Sequence, residues 1–177
     1  MERRVRFSRL LLIFFIFFLI WFLLQIIAPL SFEQGSVVNL SGSTIMADNS
    51  LKYNNMDFPF NYVYRIGDSL CHQRQDRSFL INDNQMPFCS RCTGIWIGIV
   101  LSLGIVSFYK FELDEKFLYL IFILLAPMAV DGIGQLFGFW ESTNLIRVIT
   151  GVLGGVLTGL SIGFIIDELR TIDFVKS

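Results

Sequence analysis

The sequence predicts an all-α membrane protein with four transmembrane helices and an extramembrane Cys/His loop between the first and the second. Three observations lead there. Of 177 residues, 54% are hydrophobic and 16% charged, a balance too apolar for an ordinary soluble domain. The apolar residues gather in blocks of about 20, the length a helix needs to cross the hydrocarbon with its backbone bonded internally. All three cysteines and the single histidine fall together between Cys71 and Cys92. The net charge of -1 offers no basic face and excludes a nucleic-acid partner. The 19 phenylalanines are read as lipid-facing and bundle-filling surface.

Arg3, Arg4, Arg6 and Arg9 lead into an apolar run from Leu10 to Leu30 in which Gln25 is the one strongly polar residue. The run is longer than the apolar part of a cleaved signal peptide and ends in Ala28-Pro29-Leu30-Ser31, a poor cleavage site. It is read as an uncleaved signal anchor, residues 1–30. Residues 31–63 form an extramembrane linker, with short strands expected at Ser36 to Leu40 or Phe60 to Tyr64. Asn39-Leu40-Ser41 is a glycosylation sequon of small weight. Tyr62 to Arg74 reads as a short surface helix, and Asn82-Asp83-Asn84 as a turn.

A membrane domain occupies residues 64–166. Pro87 suits the first position of a helix, where its missing N–H is no loss, and that helix spans about Phe88 to Tyr109. Cys89 and Cys92 then lie three apart on one face. Gly94, Gly98 and Ser102 follow at four-residue spacing, a pattern that admits a close neighbour helix. The loop Lys110 to Lys116 precedes a third span, Phe117 to Phe137, which contains Pro127 and brings Asp131 and Gln135 onto one face, with Gly134 and Gly138 beside them. A carboxylate inside a span needs a partner or a function.

The fourth span, about Asn144 to Ile166, carries Gly151, Gly155, Gly159 and Gly163 in an i, i+4 ladder, widened by Gly154 and Thr158. Such a ladder lowers helix propensity by about 1 kcal/mol per glycine and is best explained by backbone-close helix packing, within the chain or between chains. One turn back the stripe meets Arg147, which should therefore face the bundle. Residues 167–177 are a tail. Trp96 and Trp140 are read as members of an aromatic belt.

The basic N-terminal segment places both termini in the cytoplasm of a multi-pass cell-membrane protein, with the loop before the second helix outside. In either orientation the cysteines, Asp131, Gln135, Asn144 and Arg147 fall at one end of the bundle.

Cys71, His72, Cys89 and Cys92 are the right ligand types and number for zinc or another thiophilic divalent metal. Asp131 would orient the histidine or add an oxygen. A second reading is a membrane thiol–disulfide oxidoreductase, with Arg91 between the thiols favouring the thiolate and Cys71 as exchange partner; a plain structural disulfide is its inert counterpart. A third is a metal-dependent enzyme or binder acting on an anionic lipid or isoprenoid headgroup. There Arg77, Arg91 and Arg147 hold phosphate, Gln73, Gln135 and Asn144 orient the ligand, and Asp131 serves as base. Against a catalytic use, Asp131 and Arg147 on facing helices would simply neutralise one another. Partners are the lipid bilayer and an anionic lipid or a quinone. Oligomeric state is not readable from the ladder.

Cys71-His72-Gln73, Arg77-Ser78-Phe79, Pro87-x-Cys89-x-Arg91-Cys92-x-Gly94-x-x-x-Gly98, Asp131-Gly132-x-x-Gln135 and Ser142-x-Asn144-x-x-Arg147-x-x-Thr150-Gly151 together resemble the domain of unknown function 2085 family, small predicted integral membrane proteins of archaea and bacteria. The resemblance covers roughly Tyr64 to Ile166. It implies a membrane-embedded fold and carries no substrate or reaction.

Overall fold

The computed structural model describes residues 4–5, 8–40, 49–110 and 115–176. Arg3, Arg6, Ser41 of the sequon and most of the Lys110 to Lys116 loop lie outside the described residues. Among the described residues four helices are long and apolar enough to cross a membrane: α1 (Arg9–Leu30), α4 (Ser90–Phe108), α5 (Glu115–Leu136, its apolar part from Tyr119) and α6 (Asn144–Lys176, apolar to Leu169). The Cys-bearing loop lies between the first and second of these, as expected. Ser8 caps α1, its hydroxyl accepting from the Leu11 N–H at 3.4 Å. A two-residue strand, β1 (Arg4–Val5), pairs antiparallel with β4 (Tyr109–Lys110), so the N-terminal segment and the α4–α5 connection share one end of the bundle.

The glycine ladder packs within the chain. A β-carbon at Gly151 would overlap the Arg91 carbonyl, one at Gly155 the Ile95 carbonyl, one at Gly159 the Ser102 hydroxyl, and one at Gly163 the Val106 side chain. The facing stripe of α4 answers in kind, because β-carbons at Gly94 and Gly98 would overlap the Val148 and Val152 carbonyls. Small residues on both helices thus let the backbones touch, which is how helices gain packing energy where lipid is as apolar as leucine. On the other side of α4, Leu11 of α1 joins Ile99, Leu103, Val106 and Ile166 in a buried cluster completed by Phe15, Phe18 and Trp96. α5 leans mainly on α6, through Phe117 against Phe164 at 4.7 Å and Met128 beside Gly154. Its other faces present Phe122, Ile123, Val130 and Ile133 outward, as a lipid-facing helix does.

Residues 31–40 and 49–89 fold into a small cap over one end of α1. Its core is Val37, Leu40, Tyr53, Val63 and Tyr64 against Ala28. The cap holds α2 (Ser50–Tyr53), α3 (Phe60–Leu70), a single 3-10 turn at Gln75–Arg77, and the hairpin β2 (Leu80–Ile81) and β3 (Asn84–Gln85). The turn expected at residues 82–84 is a two-residue hairpin loop: Asn82 and Asp83 take φ of 54° and 57°, the pair of positive angles that a type I′ connection demands.

Phe60 to Tyr64 is not a strand but the first turns of α3, whose buried Val63, Tyr64, Gly67 and Asp68 follow a helical period. Ser36 to Leu40 forms no strand either; the Val37 and Leu40 N–H groups bond to the side chains of Asn84 and Gln85 instead. Pro87 does not open α4. The helix starts at Ser90, and Cys89, extended at φ -67° and ψ 161°, is its N-cap. The tail has no break at residue 167, because α6 continues to Lys176. Gly134 and Gly138 make no helix–helix stripe: Gly134 gives room to the Trp140 indole, and Gly138 ends α5 with φ 74°. Trp96 is no belt residue, since it packs inward on Phe18, Trp21 and Phe88 at 5.9–6.0 Å.

Candidate functional site

Two short distances in sequence and one tight loop bring the thiols together. α3 stops at Leu70 because Cys71 turns extended (φ -142°, ψ 141°) while its N–H still donates to the Gly67 carbonyl at 2.8 Å. Gly67 is required there, since a β-carbon would overlap the Pro87 carbonyl of the loop pressed against α3. That loop delivers Cys89 to the start of α4, and Cys92 sits in its first turn, three residues on. The sulfurs of Cys71, Cys89 and Cys92 all lie within 4.8 Å of one another, with Cys71 and Cys89 buried. All three are free thiols. The Cys89 N–H donates to Cys71 Sγ at 3.3 Å.

The protons are held unequally. Cys89 sulfur accepts hydrogen bonds from Cys71 and Cys92, which hold its thiol far below the ordinary range. The bond to Cys89, reinforced by burial, pushes the Cys71 thiol up to about 11. Hydrogen bonding within the cluster thus favours a thiolate at Cys89 over one at Cys71.

His72 lies outside this cluster. An extended residue at 71 sends consecutive side chains to opposite sides, so Cys71 and Gln73 turn inward while His72 is half-buried and Arg74 exposed. His72 Nδ1 accepts from the Arg74 N–H at 3.3 Å. Asp131 is not in the cluster either, and it orients no histidine.

Gln73, expected to orient a ligand, holds the loop instead. It is fully buried; its Oε1 accepts from the Tyr53 hydroxyl at 2.8 Å, its Nε2 donates to the Pro87 carbonyl at 2.8 Å, and its own carbonyl accepts from Gln85 Nε2. Asn84 ties the same loop to the end of α1, donating to the Pro29 carbonyl at 2.9 Å and accepting from the Val37 N–H at 2.8 Å. These buried amides were not anticipated as scaffold.

Beside the thiols, a second polar group joins α4, α5 and α6. Arg91 donates to the Asp131 carboxylate in an ion pair. Asp131 also accepts from Gln135 Nε2 at 3.1 Å and from the Trp140 indole N–H at 3.4 Å. The expected Asp131–Arg147 pair is replaced by a relay: Arg147 donates to Gln135 Oε1 and to Asn144 Oδ1, each at 3.1 Å. The close contact at Gly151 sets the first turn of α4, at Arg91, directly against α6. Arg77 stands at the edge, its Nε 3.7 Å from Asp76 Oδ2.

With the site in view, comparison with known proteins is informative about kinship. Residues 71–161 match the model of DUF2085, described as a predicted membrane protein, over just more than half of the chain. The chain belongs to this family. An uncharacterised protein of Methanocaldococcus jannaschii is 43% identical over 97 residues, covering 52% of this chain and 61% of the relative. A second, from Methanothermobacter thermautotrophicus, is 34% identical over 91 residues, covering 49% of this chain and 78% of the relative. The chain thus spans about three-fifths of the first relative's length. No solved structure matches.

The DUF2085 segment contains the whole thiol cluster, the Arg91–Asp131 pair and Arg147, whereas α1 and most of the cap precede it. Yet α1 reaches the site. Trp21 packs on the thiol cluster, 6.3 Å from Phe88 and 6.0 Å from Trp96. Its indole N–H, both amide atoms of Gln25 one turn on, and the Ser90 hydroxyl are buried without a hydrogen-bond partner among the described residues. The sequence did signal Gln25, as the lone polar residue of an apolar run; it did not signal Trp21.

Proposed function

We propose that this member of the DUF2085 family binds a thiophilic divalent metal, zinc by preference, through Cys71, Cys89 and Cys92. The observation that carries the reading is the convergence of three sulfurs, from the end of α3 and the start of α4, within 4.8 Å of one another. Tetrahedral zinc with Zn–S bonds of about 2.3 Å needs sulfurs about 3.8 Å apart, so closure asks for a contraction of no more than about 1 Å. The donor set fits a soft cation, and the N–H donated to Cys71 is the kind of bond that steadies a bound thiolate. Three protein sulfurs leave one coordination position, within the reach of an outside ligand or of a His72 turned from its present rotamer. An open position of that kind separates zinc sites that do chemistry from those that only brace a fold.

The same reading puts the site on the outer face of the membrane. Four arginines in the first nine residues favour a cytoplasmic N-terminus, and an even number of spans returns the C-terminus to the same side. Accessibility of Cys92 or an engineered loop cysteine to an impermeant maleimide in intact cells would test the orientation.

The metal itself is tested by elemental analysis with a free-thiol count on protein purified in detergent without added metal or reductant. About one zinc per chain, lost in Cys89→Ser and in Cys71→Ser but kept in Gln25→Leu, is the expected result. A metal-free protein with two of its three thiols oxidised and reducible by dithiothreitol would overturn it in favour of thiol–disulfide exchange.

A further inference from the structure

Arg147 is 7% exposed, yet among the described residues its side-chain hydrogen bonds go to neutral amides, Gln135 and Asn144. The nearest carboxylate, Asp131, is already taken by Arg91, Gln135 and Trp140. Arg91 from α4 is joined to Arg147 by one relay, through Asp131 and Gln135, and Arg77 from the cap adds a third like charge whose repulsion reaches Arg147. Among the described residues Arg77 and Arg91 each also keep a buried Nε–H without a hydrogen-bond partner, that of Arg77 standing 3.7 Å from Asp76 Oδ2. On the loop side, Asp76 is held by both nitrogens of an Arg74 fork, at 3.0 and 3.1 Å. Counting Glu141, whose charge reaches Arg74 from an exposed position, four guanidiniums face three carboxylates. A buried cation without a charged partner is expensive, and three like charges gathered from separate elements are more so, unless an anion joins them.

We infer that Arg77, Arg91 and Arg147 form a binding site for a phosphate group at the cap-side mouth of the bundle. Guanidiniums arriving from the cap, α4 and α6 offer N–H forks from three directions, which suits the oxygens of a tetrahedral oxyanion better than a planar carboxylate. Asp131 is then a positioning residue. It holds Arg91 directly and sets Arg147 through Gln135, while leaving the cluster with an excess of positive charge. The site lies in the first turns of two spanning helices and the last turn of a third, the level at which lipid phosphates sit. A phosphate monoester or diester carried by a lipid and a free phosphate share this chemistry. The inference goes beyond the metal reading and stands whether or not the thiols bind a metal, because its test reads phosphate alone.

The test is made on the full chain in two arms. In detergent, inorganic phosphate is titrated and binding followed by calorimetry. In nanodiscs, phosphatidic acid is compared with phosphatidylcholine, and lipid retained through purification is counted by phosphorus NMR. Binding in one arm or both, weakened tenfold or more by Arg147→Gln and by Arg77→Gln but not by Lys52→Gln on the same cap, is expected. Arg77 lies in the single 3-10 turn of the cap and is partly exposed, so its variant keeps the test valid if the buried Arg147 variant does not fold. Phosphatidic acid binding without inorganic phosphate binding assigns a lipid; the reverse assigns a soluble phosphate. No binding in either arm, or equal loss in Lys52→Gln, overturns the site.

Discussion

Arg91 on α4 donates to the Asp131 carboxylate on α5, and this pair is the principal polar link between α5 and the rest of the bundle, with the acid only 6% exposed in its side chain. α5 otherwise touches only α6 to any extent. The ion pair therefore fixes the helix that carries least packing.

Removing one partner should be far worse than removing both. Asp131→Leu strands the Arg91 guanidinium beside Arg147, and a loss of about 3–5 kcal/mol is expected for breaking a buried pair from one side. Arg91→Met with Asp131→Leu should recover most of that. Thermal unfolding of the two single variants and the double variant in detergent gives the coupling. Additive losses would show that the two groups do not act as a pair.

The α4–α6 seam gives an internal control among glycines. A β-carbon at Gly155 would meet the Ile95 carbonyl, and backbone cannot give way cheaply, so Gly155→Ala should cost about 1–3 kcal/mol. Gly132 in α5 has open space around the same position, and Gly132→Ala should be neutral or gain up to about 1 kcal/mol from helix propensity. Equal effects at the two sites, read from melting temperatures, would remove close packing as the reason for the ladder.

The four spans were legible in the sequence because apolar blocks of about 20 residues have few other solutions in water or lipid. The ladder showed which face of α6 packs, but a period names a face and not a neighbour; only the structure shows Gly94 and Gly98 answering it from α4. Pro87 misled because proline suits an extended approach to a cap as well as a first helical turn, and the Gln73 bond to its carbonyl decides for the former. Gln73 was expected to orient a ligand and Asn84 to mark a turn, whereas both, with Gln85, hold the cap together. Their partners lie far off in sequence, as when Asn84 reaches Pro29 across 55 residues, and no local pattern carries that. His72 was grouped with the cysteines on composition, whereas the extended backbone at Cys71 turns it aside.

The cap should fail in alkali before the spans do. Tyr53 and Tyr64 stack at 5.8 Å, and their hydroxyls donate to Gln73 Oε1 and the Gln85 carbonyl. Burial raises both phenols above their ordinary value, with the Asp68 carboxylate adding to the effect on Tyr53 and Tyr53 to that on Tyr64. An acid whose folded pKa is raised holds its full contribution below the unfolded value near 10 and loses it as pH climbs beyond. Melting temperature should therefore be flat up to about pH 9.5 and then fall, with tyrosinate absorbance rising in step with unfolding. Tyr53→Phe should shallow that alkaline limb. A gradual tyrosinate titration in the folded protein would contradict the buried hydrogen bonds.

Gln25 offers the sharpest test of how α1 meets the site. Its side chain is wholly buried in an apolar helix, and neither amide atom has a partner among the described residues. An amide in that state costs about 1–3 kcal/mol, and leucine fills nearly the same volume without the penalty. Gln25→Leu should raise the melting temperature, while Gln25→Glu should lower it by burying a charge. A lower melting temperature for the leucine variant would mean that the amide is satisfied in the membrane. If bound metal or phosphate fell at the same time, that partner would be the ligand of the site, and α1 would belong to the functional machinery rather than to its support.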